Sequence, residues 1–233
     1  MKKHFSIILF VIIPALNIFS QDIRRSEDTT FITYEMISPT ENKDAIDAYN
    51  KGTGLLRQNK FEEAEKYFLT AIELDNKYID AIDHLGLVYR HMEKYEDSER
   101  MYLLSIEINP DNIVPYINLA MVYRLQGRYE DARQSYLKAQ KIDPDDPEPY
   151  FGIGVLYQLV EMYETSIIFI NIAIQKYYEK ESILICDAYY IQGNNYYYMD
   201  NYNDALKYYK VALIYYPDNT AIQNKINEIE NKK

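Results

Sequence analysis

The chain repeats itself every 34 residues, and no other property constrains its fold as strongly. Five segments, 45–78, 79–112, 113–146, 147–180 and 186–219, stack in one register. Position 8 of this frame is Gly52, Gly86, Ala120, Gly154 and Gly193. Position 20 is Ala64, Ser98, Ala132, Ser166 and Ala205, and position 27 is Ala71, Ser105, Ala139, Ala173 and Ala212. Every one of these side chains is small, in a chain with only 7 glycines. Small residues recurring at fixed points mean that two helices approach closely there, while large side chains fill the spaces between contacts. Aromatic residues supply the filling: Leu55, Tyr89, Tyr123, Tyr157 and Tyr196 at position 11; Phe61, Tyr95, Tyr129, Tyr163 and Tyr202 at position 17; Phe68, Tyr102, Tyr136, Ile170 and Tyr209 at position 24.

Breakers fall between these positions. Gly127 sits at position 15, and Pro110, Pro144 and Pro217 sit at position 32, so each unit reads as helix, tight turn, helix and short link. On these residues the chain resembles the tetratricopeptide repeat family, whose motif places small residues at 8, 20 and 27, aromatics at 11, 17 and 24, and proline at 32. The resemblance covers about three-quarters of the chain. It implies an all-α, right-handed superhelical solenoid of five helix-turn-helix repeats. The departures are local: Leu55 and Asn76 in the first repeat, and Ser166, Ile170 and Tyr178 in the fourth. Five extra residues, 181–185 (ESILI), follow the fourth repeat and predict either a longer second helix or a kink. Stacked repeats need a terminal helix with a polar outer face. Residues 220–233 supply a capping helix, with Ile222, Ile226 and Ile229 on one side. Residues 21–44 show no helical period and read as an extended or disordered leader.

The first twenty residues begin with Lys2 and Lys3 and continue in an apolar run from Phe5 to Phe19, broken only by Ser6, Pro14 and Asn17. This is the pattern of a signal peptide over 1–20, with cleavage expected between Ser20 and Gln21 and export to the periplasm. The alternative is an uncleaved signal anchor that tethers the protein to a membrane; after cleavage no stable membrane span is expected. A net charge of −11 argues against a nucleic-acid partner, because phosphate contacts need a surplus of Lys and Arg. The single cysteine, Cys186, excludes an internal disulfide and is expected either to be buried or to pair between molecules.

No catalytic constellation emerges: there is no HExxH, GxxxxGK or GxSxG, and no cysteine pair. His84 and His91 stand seven apart with Asp80 nearby, a spacing that lacks the paired histidines of a metal motif. No enzyme activity, cofactor or metal is expected.

Within each repeat, positions 5, 9 and 12 share one face of the first helix, the face that lines the inner surface of stacked hairpins. Across repeats these positions supply Tyr49, Leu87, Arg90, Ile117, Met121, Arg124, Phe151, Val155, Tyr190, Asn194 and Tyr197. A contiguous exposed strip of Leu87, Ile117, Met121, Phe151 and Val155 beside two arginines suggests a groove for a segment of another protein. The competing reading is that neighbouring first helices bury much of the strip against one another. Arg90 and Arg124 likewise read either as ligand-orienting groups or as local partners. The clamp for acidic heat-shock protein tails is missing: Asn118 fits it, whereas Asp83, Leu87, Glu148 and Gly152 do not. The expected function is a non-catalytic interaction scaffold of the cell envelope. The alternative is a binding protein for a small hydrophobic or glycan ligand, associated with a transporter or envelope machine. The tyrosine-dense stretch 189–217 is the fifth repeat of the array, with Tyr190 and Tyr197 on the inner face.

Overall fold

The structure, a computed structural model, describes residues 40–231. The expected signal peptide and the expected leader up to residue 39 lie outside the described residues. All regular structure among the described residues is helical. The chain divides into two compact units, one ending at Pro144 and the other beginning at Asp145.

The N-terminal unit contains α1 (Lys43–Leu56), α2 (Phe61–Leu74), α3 (Ile79–His91), α4 (Tyr95–Ile108), α5 (Ile113–Leu125) and α6 (Tyr129–Ile142). Helix α1 begins two residues before the 34-residue frame. Asn42 caps it, accepting from the Asp44 and Ala45 amides. The same side chain donates to the Leu74 carbonyl at 3.0 Å, which ties the start of α1 to the end of α2.

The first helices all end in the same way. The residue at position 15 turns into the left-handed region in Asn59, Glu93 and Gly127 of this unit and in Glu161 and Asp200 of the other, with φ between 57° and 74°. Its amide bonds to the carbonyl three residues back and the next amide to the carbonyl five back, as in Lys94 to Tyr89 and Arg128 to Tyr123. This is the Schellman ending, which satisfies carbonyls that the last helical turn leaves open. Only one of the five residues is glycine. An L-residue in this conformation costs about 1–2 kcal/mol, partly offset by the lower chain entropy that glycine forfeits. Glu161→Gly is therefore expected to raise the melting temperature. Gly127→Ala is expected to lower it, although a Cβ there meets nothing within 4 Å. Thermal unfolding of the pair checks both signs.

Helix pairing follows the small-to-large pattern. A Cβ on Gly52 would stand 2.7 Å from the Phe68 ring, and one on Gly86 would stand 2.9 Å from the Tyr102 ring. Glycine at position 8 thus lets the ring at position 24 lie directly on the helix backbone. Where position 20 is serine, its hydroxyl donates to the position 8 carbonyl: Ser98 to Gly86 at 2.7 Å and Ser166 to Gly154 at 2.8 Å. Between repeats, a cation at position 16 meets the glutamate at position 21 of the preceding unit, Lys94 with Glu65 and Arg128 with Glu99. These pairs are exposed and add little stability, but they favour one register.

The C-terminal unit contains α7 (Glu148–Leu159), α8 (Tyr163–Glu179), α9 (Ile185–Tyr198), α10 (Tyr202–Tyr215) and α11 (Thr220–Glu230). Helix α8 has 17 residues, against 14 in α2, α4, α6 and α10. Of the two outcomes expected from the extra residues, the longer second helix is the one observed. It stops with a further Schellman ending at Glu181, φ 51°, where the other second helices run straight into an extended link or proline. Helix α11 lays Ile222, Ile226 and Ile229 on a buried cluster containing Cys186, Leu206 and Tyr209. Cys186 is buried, its thiol 3.5 Å from the Ala212 carbonyl.

Candidate partner-binding surface

In the N-terminal unit the first helices stand side by side, α1 touching α3 and α3 touching α5. This contact decides the exposure of the inner face. Leu87 and Ile117 are buried, so the expected open strip is closed at these points by the neighbouring helix. Tyr49 and Met121 stay half-buried. Tyr49 packs against the rings of Phe68, Tyr78 and His84.

The two arginines of the face are both buried. Arg90 is 5% exposed and Arg124 is 7% exposed. From α3 the Arg90 guanidinium reaches α5, donating to Asn118 Oδ1 at 3.5 Å and lying 3.3 Å from Met121 Sδ. Its physical role is to link consecutive first helices while its aliphatic stem packs between them. Asp83, at position 5 of the second repeat, is also buried. Burial pushes its carboxyl up to about 7; the Ser105 hydroxyl pulls the other way and the nearby Asp80 adds to the rise. His84 Nδ1–H donates to the Asp80 carbonyl at 2.8 Å, and burial lowers its imidazole to about 4, which keeps it neutral near pH 7. His91 stacks on Phe61 at 4.9 Å. Both histidines thus have packing roles, and no cluster of metal-binding side chains occurs among the described residues.

In the C-terminal unit α7 touches α9. Val155 and Asn194 are buried; Phe151, Tyr190 and Tyr197 are half-buried. Asn194 Oδ1 accepts from the Tyr209 hydroxyl at 2.7 Å, and the Tyr190 ring lies 5.9 Å from that of Tyr209. Tyr197 is held by α11: its hydroxyl donates to Glu228, and the Lys225 ammonium lies 4.3 Å from its ring centre. The face therefore offers Phe151 and Tyr190 with Tyr197 already engaged by the terminal helix.

A buried amide relay crosses this unit, and the pattern of positions 5, 9 and 12 includes only its first member, Gln158 at position 12. Gln158 Nε2 donates to the Ile191 carbonyl at 3.1 Å and to Asn195 Oδ1 at 2.7 Å, and Asn195 Nδ2 donates to Ser166 Oγ at 2.8 Å. Its signal in the sequence is Asn195 itself. The other repeats carry Gly54, Val88, Val122 and Leu156 at that position, so an amide there has to find partners.

Sequence models described as tetratricopeptide repeat match residues 43–78, 79–112, 101–134 and 186–219, and one described as TPR repeat matches 120–160. No curated protein matches the chain in sequence. Among solved structures, the chain is similar to one in the APC/C hetero-tetramer Cut9–Hcn1, with a TM-score of 0.72 and 17% identity over 82% of this chain and 37% of that one. The chain thus spans well under half the length of that protein. It is similar to TTC0263, a thermophilic TPR protein of Thermus thermophilus, with a TM-score of 0.66 and 15% identity over 79% of this chain and 98% of the other. YrrB, a TPR protein with an unusual peptide-binding site, gives a TM-score of 0.54 and 24% identity over 79% and 93%. At these identities the likeness is one of fold.

Proposed function

Because the chain belongs to the tetratricopeptide repeat family, we propose that it is a non-catalytic scaffold that holds a segment of another protein against its first helices. One observation carries this reading. Tyr49 and Met121 in one unit, and Phe151 and Tyr190 in the other, stay half-exposed on the first helices while their neighbours Leu87, Ile117 and Val155 are buried. Large apolar side chains left partly open beside a packed layer are the anchors that a peptide segment uses. Tyrosine suits this role because its ring adds contact area at low conformational cost and its hydroxyl tolerates water. The basic start and apolar run of residues 1–20 support a place in the cell envelope, periplasmic after cleavage.

Photo-crosslinking from positions 121 and 190 in the intact envelope, followed by peptide identification, tests the reading. The expected product at each position is the same partner polypeptide, joined through a defined segment. Met121→Ala with Tyr190→Ala is then expected to weaken that partner about tenfold or more. Native mass spectrometry that found a small molecule and no polypeptide would sink it, as would unchanged affinity in the double variant.

A further inference from the structure

The five residues that break the repeat open a pocket that the first-helix surface does not include. Extending α8 by one turn and stopping it at Glu181 leaves an open hollow of about 620 Å³ in the C-terminal unit, lined by Tyr177, Tyr178, Glu179, Glu181, Ile183 and Tyr215 among others. Its walls are of two kinds. Tyr178 is 71% exposed, with Ile183 and Tyr215 also exposed, so the hollow presents ring faces and an aliphatic side chain to solvent. Tyr177 forms the buried back wall, and its hydroxyl is committed to Glu148 Oε1 at 2.7 Å.

The charges around the pocket are one-sided. The lysines nearest in sequence are already paired with carboxylates, Lys176 with Asp145 at 3.1 Å and Lys180 with Asp146 at 3.8 Å. Both charged side chains among the lining residues, Glu179 and Glu181, are acidic and exposed, in a chain of net charge −11. A carboxylate rim over tyrosine faces complements a cation carried beside an apolar group. The protein makes this contact within itself, with Lys176 over Tyr150 at 5.3 Å, Lys225 over Tyr197 at 4.3 Å and Lys207 over Tyr208 at 5.6 Å. Tyr215 also extends the pocket into a stack that runs through Tyr189 and Tyr208 to Tyr196, with ring centres 5.3 to 6.3 Å apart.

We infer that this pocket is a second docking site, separate from the first-helix surface, for a basic segment of a partner protein in which Lys or Arg stands next to an aliphatic or aromatic side chain. The cation lies over the Tyr178 or Tyr215 ring and meets Glu179 and Glu181, and the apolar neighbour packs on Ile183. The site is a product of the insertion, since Glu181 and Ile183 belong to it.

The test uses the full chain, labelled for nuclear magnetic resonance, with three probes: an end-blocked peptide alternating leucine and lysine, the same peptide with glutamate for lysine, and a tetramer of N-acetylglucosamine. The lysine peptide is expected to shift the amides of residues 177–185 and 215 saturably, with the glutamate peptide and the sugar leaving them in place. The double variant Glu179→Lys, Glu181→Lys, on exposed side chains, is expected to weaken the lysine peptide about tenfold or more without changing the melting temperature. Tyr178→Ala is expected to weaken it as well. Equal shifts from both peptides, shifts from the sugar in place of the lysine peptide, shifts confined to the first helices, or unchanged affinity in the charge-reversed variant would overturn the inference. Failure at the first helices leaves these amide shifts untouched, so the two readings are tested separately.

Discussion

Tyr209→Ala is expected to lower the stability of the C-terminal unit by about 3–5 kcal/mol, the range for truncating a large buried aromatic side chain. The ring is fully buried and lies directly on the α9 backbone, because Gly193 has no side chain to hold it away; a Cβ there would come within 2.5 Å of the ring. Alanine at 209 leaves that space empty and also strips the buried Asn194 Oδ1 of the hydroxyl that donates to it at 2.7 Å. Tyr209→Phe separates the two effects, since it keeps the ring and loses only the hydrogen bond, at about 1–3 kcal/mol. Tyr208→Ala is the control. That ring is half-buried and stacked on Tyr196 at 5.3 Å, so its removal is expected to cost less than truncation of the fully buried ring. Urea titration gives the free energies, and hydrogen exchange at α9 and α10 locates the loss.

Asp83 sets the second large effect, and it appears only as a function of pH. In the folded chain its carboxyl titrates near 7, raised chiefly by burial, whereas in the unfolded chain it titrates in the ordinary range near 3.8. Between these values the folded state holds a proton that the unfolded state has lost. Stability from this group is complete below about pH 4, falls as pH rises toward 7, and stays low above it. One carboxylate oxygen, Oδ1, has no hydrogen-bond partner among the described residues, so ionisation there is poorly compensated. Asp83→Asn removes the titration while keeping the shape. The stability of the variant relative to the parent is therefore expected to rise by about 2–4 kcal/mol between pH 4.5 and pH 8. Glu148, also raised to about 7, and His84, lowered to about 4, titrate in both proteins and cancel in the difference. Melting curves of the two proteins across that range check the sign; parallel curves would contradict it.

The sequence exposed the hairpin array because its evidence is local to one repeat. Small residues at 8 and large ones at 24 meet within a single hairpin, so Gly86 with Tyr102 is legible without any neighbour. The turn was half legible: Gly127 marks position 15, but Asn59, Glu93, Glu161 and Asp200 adopt the same left-handed conformation without a glycine to announce it. The binding face was legible in its position and illegible in its exposure. Whether Leu87 or Ile117 reaches solvent depends on how closely the next first helix stands, a distance between repeats that no single-repeat pattern encodes. Arg90 shows the same limit, because a charged residue on an inner face reads either as a ligand-orienting group or as a local partner until Asn118 and Met121 of the following repeat are in place. The pocket at 177–185 lay in plain sight as a break in period, yet the period alone offered two outcomes, and its walls depend on α8 running on to Glu179.

The shared turn has a consequence for how such a chain changes length. Its closure relies on backbone amides and carbonyls, with side chains as different as asparagine, glutamate, glycine and aspartate at its centre. A crossover between the coding segments of any two of the first four repeats, made at the same position in each, therefore returns an intact turn, and the array gains or loses residues in steps of 34. The increment after Lys180 is not such a step. It brings its own helix ending, and an exchange among the first four repeats neither duplicates nor removes Glu181 and its neighbours.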